Sequence, residues 1–443
     1  MIRKQSADIK LFEDKTPSDS LPVELAQELS DKGLIAEDGS RRVSFCGMIL
    51  INNTANIFLP RSSGLSELSC EDSIPLAASV MKAVNKYGID KKTKVTAQDL
   101  EDGNRGLGQL SLIKELLDDF CQNGIYSKRN KITSLNNGRP DWKRTVGNVV
   151  PFPGKNGVPV YIDTYCNRRK YFTDCEISAI HAKVIKELDE KFGWLITGND
   201  RLIAPELSEF NSPFGDEQYY VSVLQKELQV TYSERDMRLL RNLVEYIKNI
   251  SGKQQSSFIA GVRDFHYAWE HMLSRVLEHT ANLNHKLPAP AYMTREGDVL
   301  TANEKSMRTD IILEDKQNKK WAIVDAKYYA ANSVANAPGW PDLVKQFFYE
   351  KALKLVNSDF DISNFFIFPG SEGNLDLVRM KDRKEEIFYD KEFPPVKCLY
   401  VSPLVVINNY ISNTKVNWLS DVILNREAPK SFYQKTCSGS AFI

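Results

Sequence analysis

Cysteine is scarce in this chain and never closely paired. The seven residues, at positions 46, 70, 121, 166, 175, 398 and 437, contain no C-x-x-C. An odd, scattered set argues against a disulfide framework or a zinc knuckle and fits a reducing cytoplasm. Net charge is missing too: 58 Lys and Arg balance 58 Asp and Glu. Global charge therefore neither favours nor excludes a nucleic-acid partner, and only local patches can speak. The opening residues 1–8 lack the apolar centre of a signal peptide, and no apolar run is long enough to span a bilayer. The expectation is a cytoplasmic chain with no membrane partner. No G-x-x-x-x-G-K-[ST] phosphate loop occurs, which excludes a P-loop motor. There is no H-E-x-x-H zinc pattern, no RNA-binding signature and no internal repeat or low-complexity tract.

What is present is an ordinary globular composition, 42% hydrophobic and 26% charged, over 443 residues. That length suggests two or three domains. We expect an α/β (α+β) multidomain chain: a β-rich region over 1–75, a mostly helical region over 76–250, and a catalytic domain over 258–443. Val43–Ile51 and Ala55–Pro60, around Asn52-Asn53-Thr54, read as an N-terminal β-hairpin. Helical spacing runs through 21–34, through two stretches within 72–125, and through 174–192 and 234–250. Gly124 reads as a C-cap. His181 falls on the apolar stripe of the 174–192 helix, where a packed core histidine is the expected reading. Residues 251–257, Ser-Gly-Lys-Gln-Gln-Ser-Ser, read as a linker.

Residues 128–170 hold ten Lys and Arg against two Asp, the strongest basic island in a neutral chain. Following a helix, it gives a winged-helix-like order of elements. Lys143, Arg144, Arg168, Arg169 and Lys170 are its candidate DNA contacts, through phosphates. Docking on an acidic partner, or a plain solvated face, fits the same residues.

The chemistry concentrates at 306–329. Asp310 opens one apolar strand, and Trp321-Ala-Ile-Val324 leads into Asp325-Ala326-Lys327. Strand alternation puts Asp325 and Lys327 on one face. Two carboxylates and an ammonium would converge at the end of a hairpin, a set suited to Mg²⁺ (or Mn²⁺ in its place) and phosphodiester hydrolysis. The spacing fits the PD-(D/E)xK nuclease pattern, with Thr309 where a proline is usual. Glu270 lies on a preceding helix and Gln346-x-x-Tyr349 on a following one. The order helix–strand–strand–helix–strand implies a mixed sheet flanked by helices. Asp310 and Asp325 are the expected metal ligands; Glu270 completes that site or a second one, or is a plain helix-surface acid. Lys327 positions or deprotonates water, or stabilises developing charge. Gln346 and Tyr349 contact the lysine, a water or a phosphate, or pack helix to sheet. Arg308 borders the site.

Several stretches carry a resemblance. They are Phe45-Cys-Gly-Met-Ile49 with Phe58-Leu-Pro-Arg61, Gly138-Arg-Pro-Asp-Trp-Lys-Arg-Thr145, Trp269-Glu270, Val324-Asp-Ala-Lys-Tyr-Tyr329 and Trp340-Pro-Asp-Leu-Val-Lys-Gln-Phe-Phe-Tyr349. Together they resemble the LlaJI-type restriction endonucleases, McrC-like nuclease subunits with a RecB-like Q-x-x-Y element. The resemblance implies a restriction (phage-defence) endodeoxyribonuclease of type II/IV kind acting on double-stranded DNA. It implies a separately encoded McrB-like AAA+ GTPase as partner, with residues 1–250 making partner and DNA contacts. It also implies the Ala326 carbonyl as an extra metal ligand. Cutting both strands calls for a dimer or higher assembly. A non-catalytic adaptor with a nuclease-like fold, binding DNA or stimulating the GTPase, is the competing reading. An RNA-directed nuclease ranks below both.

Overall fold

The computed structural model describes residues 8–36, 39–65, 72–92, 104–173, 175–210, 212–249, 257–303 and 306–425. The expected linker lies outside these residues, except for Ser257. The chain divides into two compact units, one over 111–255 and one joining 8–110 to 256–443. Cuts near 75 and 250 were expected from the sequence. The segment 8–110 shares a unit with the C-terminal segment because strand Ser257–Arg263 pairs antiparallel with strand Phe45–Ile51 along its whole length.

That strand escapes a reading of the sequence, since an interior glycine weakens strand propensity. Here the glycine is required. Gly261 sits opposite Gly47, and a Cβ on Gly261 would lie 2.3 Å from the Phe45 ring. Gly47, at φ +148°, is equally closed, 2.4 Å from the Ala260 carbonyl oxygen. The two glycines let the strands approach beneath Phe45. The expected hairpin is present as Phe45–Ile51 and Thr54–Leu59. Asn52 and Asn53 both take positive φ, 46° and 67°, as the tight turn matching strand twist requires. Strand Asp8–Glu13 adds parallel to Thr54–Leu59. The sheet order is Asp8–Glu13, Thr54–Leu59, Phe45–Ile51, Ser257–Arg263, Asn104–Arg105. Leu25 and Leu29 of helix Val23–Asp31 pack with Phe45 and Phe58 in its core.

The second sheet of this unit is mixed, in the order Ile311–Asp315, Lys320–Ala326, Asp361–Pro369, Val396–Val401, Leu377–Val378. Its first pair is an antiparallel hairpin. Lys320–Ala326 then runs parallel to Asp361–Pro369, which runs parallel to Val396–Val401. Parallel neighbours need a crossover, and helix Trp340–Val356 supplies it. Leu343 and Phe347 pack on Phe366 and Phe368, and Leu353 on Trp321 and Ile323. Helix His266–Val276 precedes the hairpin with Trp269, Met272 and Leu273 buried.

In the 111–255 unit, helices Glu176–Phe192, Glu217–Val230 and Glu234–Asn249 accompany strand Lys128–Leu135, which pairs with Tyr165–Phe172. His181 is fully buried, and its Nδ1 accepts from the Tyr126 N–H at 3.0 Å. Burial lowers its pKa to about 4, so it is a neutral core acceptor. Gly124 caps helix Leu107–Asn123 at φ +70°, its N–H donating to the Phe120 carbonyl. No helix among the described residues is long and apolar enough to cross a membrane.

Candidate active site

The hairpin ends where the sheet meets the crossover helix, and a cavity of about 440 Å³ opens there. Glu270, Asp310, Asp325, Ala326, Lys327, Gln346 and Tyr349 all line it. Every nuclease residue expected from the sequence is therefore gathered in one place. Asp310 stands immediately before strand Ile311–Asp315, and its Oδ2 accepts from the Ala326 N–H at 3.1 Å. That bond ties the first carboxylate to the strand carrying the second. Alternation along Lys320–Ala326 keeps Asp325 and Lys327 on one side, with Lys327 Nζ 2.9 Å from Asp325 Oδ2.

The lysine has a second partner that the sequence did not single out. Lys327 Nζ donates to Asp342 Oδ1 at 2.6 Å. Asp342 follows Pro341 in the first turn of the crossover helix, where an acid reads as a favourable helix start. Its tie to Lys327 depends on the crossover and leaves no local signal. Burial alone would lower the Lys327 pKa, but Asp325 and Asp342 outweigh it and hold the ammonium well above the usual lysine range.

The carboxylates behave in the opposite way. Asp310 is raised to about 7 by burial, by the charges of Asp325 and Glu270, and by a hydrogen bond shared with Asp325. Its carboxyl keeps an exposed edge, so the cavity can reach it. Glu270 is raised by burial and by Asp325. Asp310 thus faces a deficit of positive charge, and a proton fills it up to about pH 7. A hard divalent cation suits that deficit and those oxygen donors. No three Asp, Glu, His or Cys side chains among the described residues are grouped to hold a metal by themselves. Asp310 and Asp325 would hold an ion with the Ala326 carbonyl and oxygens from water or substrate, a habit typical of Mg²⁺. Glu270 acts on the pair through charge.

The crossover helix contributes differently at its two motif positions. Tyr349 donates its hydroxyl to the Arg308 carbonyl at 2.7 Å, anchoring the segment that enters Asp310. Gln346 is fully buried, yet among the described residues neither Nε2 nor Oε1 has a partner. A buried amide without partners is costly, and this one lines the cavity.

The basic candidates lie in the 111–255 unit. Lys143 and Arg144 sit on helix Trp142–Asn148, and Arg168, Arg169 and Lys170 on strand Tyr165–Phe172. Arg144 is engaged locally, with Nη1 3.3 Å from Thr133 Oγ1 and its guanidinium over the Tyr165 ring. Lys143 and Arg168 are exposed.

Residues 45–402 match the family model of the LlaJI restriction endonuclease. The chain belongs to that family. This LlaJI-family chain is 27% identical over 401 residues to the type II restriction enzyme BsuMI component YdjA of Bacillus subtilis (strain 168), spanning 87% of this chain and 84% of that protein. Among solved structures it is similar to a half-complex of Thermococcus gammatolerans McrB AAA+ hexamers with bound McrC. There the identity is 13% and the TM-score 0.38, covering 94% of this chain and 100% of that one. The McrBC complex of the same organism gives 11% identity and a TM-score of 0.26, covering 59% of this chain and 84% of that one. Likeness at those scores carries no argument about this chain.

The raised carboxyl has a consequence for stability. A group whose pKa rises from 3.8 to about 7 on folding binds its proton more tightly in the folded state. Its favourable contribution is present at low pH and is lost as pH climbs through about 7. Asp310→Asn should therefore raise Tm at pH 8 and change it much less at pH 5. Melting curves at the two pH values check this, and an equal shift at both would refute the assignment.

Proposed function

We propose that this chain is the Mg²⁺-dependent endonuclease subunit of a restriction system, cleaving phosphodiester bonds of double-stranded DNA together with a McrB-like AAA+ GTPase. One observation carries the reading: Asp310, tied to the Ala326 N–H, stands with Asp325 beside a doubly paired Lys327, at the end of a hairpin facing a cavity. Membership of a restriction endonuclease family supports it, as does the helix–strand–strand–helix–strand order of elements around the pair. The AAA+ partner rests on the sequence resemblance and on the relative's being named a component.

Mg²⁺ between Asp310 and Asp325 would supply positive charge to a phosphate oxygen and make a bound water more acidic. The rest falls to the chain. Lys327 keeps its proton at neutral pH, because two carboxylates hold it. It serves as a fixed cation for charge developing on the phosphorus oxygens, a task that suits a preorganised ion pair better than proton abstraction. Asp342 shares the ammonium, so that Asp325 does not bear the whole ion pair and keeps oxygen lone pairs for the metal. Gln346 offers a donor and an acceptor to a water or phosphate oxygen. Tyr349 fixes the approach to Asp310 through the Arg308 carbonyl.

For the basic island the observations favour a protein partner. Trp142, Val146, Val150, Phe152, Val158 and Ile162 are all more than half exposed among its charges. A phosphate backbone asks for cations, whereas this many exposed apolar side chains among the charges suits a protein interface. We assign the island to the GTPase partner.

Two outcomes test these readings. Asp325→Ala or Lys327→Ala should lower plasmid cleavage by at least about a hundredfold, in line with the loss of one preorganised charge. Folding and partner assembly should be retained, and metal-dependent cutting by the double variant would contradict the site. Reversing Lys143 and Arg144 to Glu should weaken association with the GTPase subunit and leave the salt dependence of DNA binding unchanged. A salt slope lower by about two would return the island to DNA.

A further inference from the structure

The cavity contains a cation from the far end of the sequence. Lys15 lines it together with His266 and the nuclease carboxylates. It follows the edge strand Asp8–Glu13 and is half-buried. The sequence places this segment in a β-rich region apart from the catalytic hairpin, so its presence here is unexpected.

The backbone at Lys15 is held in a conformation that a lysine rarely takes. Its φ is +69°. Its N–H donates to the Val43 carbonyl and to Asp14 Oδ1, both at 2.9 Å, and Arg42 Nη1 donates to its carbonyl at 2.9 Å. Asp14 is buried, and the same Oδ1 accepts from the Phe45 N–H at 3.1 Å. A non-glycine residue persists at such an angle only when its surroundings over-determine it, and such residues cluster at ligand sites. The segment is also tied to the catalytic strand. Tyr328, next to Lys327, is buried close enough to Asp14 to feel its charge, and its hydroxyl accepts from the Arg61 N–H at 3.0 Å.

The side chain is aimed and only partly used. Lys15 Nζ donates to Ser44 Oγ at 2.7 Å, and Ser44 Oγ donates to Asp264 Oδ1 at 2.8 Å. An ammonium has three donors. Among the described residues Lys15 makes no carboxylate ion pair, in contrast to Lys327, which makes two. Lys15 also stands apart from the metal carboxylates. The charges acting most on Glu270 are Asp325, Lys327, Lys91 and Arg308, and those on Asp310 are Asp325 and Glu270. The Lys15 charge acts instead on its neighbour Asp14 and on His266.

We propose that Lys15 is a substrate-binding residue that holds a DNA backbone phosphate flanking the scissile one. On this proposal, which rests on the nuclease reading, the N-terminal strand segment completes the active site. The free donors of Lys15 take a phosphate oxygen, and the Ser44–Asp264 relay fixes the ammonium against the cavity wall. Ammonium-to-phosphate contact is electrostatic, so it contributes affinity and position without sequence preference.

The test uses the full-length chain in an Asp325→Ala background, with a short DNA duplex titrated at several salt concentrations. Lys15→Met should lower affinity several-fold at low salt and reduce the slope of log K against log salt by about 0.9, one phosphate contact. Lys15→Arg should restore the slope. In the cleavage-competent chain Lys15→Met should raise KM more than it lowers kcat. An unchanged slope with Lys15→Met, or an equal loss with Met and Arg, overturns the proposal. If Lys15→Met melts early, Lys15→Gln is read in its place by the same slope. The two readings separate cleanly: a chain whose duplex binding depends on Lys15 but that fails to cut with every divalent metal supplied contradicts only the nuclease, while one that cuts with a slope indifferent to residue 15 contradicts only Lys15. A chain that neither binds nor cuts removes both.

Discussion

Parallel pairing of Lys320–Ala326 with Asp361–Pro369 is the constraint on which the rest of the site depends. Two parallel neighbours cannot be joined by a tight turn. The chain must leave the end of the first strand, at Asp325 and Lys327, and return to the beginning of the second. Helix Trp340–Val356 makes that return, and its first turns necessarily pass near the strand end just left. Asp342, Gln346 and Tyr349, spaced three or four residues apart, face the same way on it. The helix therefore delivers an acid to Lys327, an amide to the cavity and a hydroxyl to the Arg308 carbonyl. The antiparallel hairpin on the other side delivers Asp310.

The site so built is electrostatically unbalanced on purpose in one half and balanced in the other. Lys327 is held between two carboxylates and stays charged. Asp310, beside Asp325, is left with a deficit of positive charge that a proton meets near pH 7. A core would not retain such a pair for stability, since desolvated like charges repel and only one of them ionises readily. On the proposed function, a cation would take the place of that proton and offset the cost. Gln346 is buried beside them with neither polar atom paired among the described residues.

Much of this was legible in the sequence because it is local. The Asn52-Asn53 turn, the Gly124 cap and the Asp325-x-Lys327 alternation follow from rules acting over a few residues, and the structure has all three. The buried stripe with His181 is likewise a matter of helical period. What stayed hidden depends on distance along the chain. Strand Ser257–Arg263 has a strand's geometry only because Gly261 meets Gly47 two hundred residues earlier. Asp342 has the appearance of a helix start, and nothing nearby announces its ion pair with Lys327. Lys15 is a lysine after an edge strand until the fold places it in the cavity. Composition was silent on all three, because each is a single residue whose meaning lies in what the topology sets beside it.

If Asp310 and Asp325 hold a cation as proposed, its binding must displace the proton of Asp310. Calorimetric titration of Mg²⁺ into the chain at pH 6.5, in two buffers of different ionisation enthalpy, tests it most directly. Binding should release a fraction of a proton, strengthen as pH rises through about 7, and vanish in Asp310→Asn. Binding that is independent of pH and survives Asp310→Asn, or no binding up to pH 8, would contradict the account.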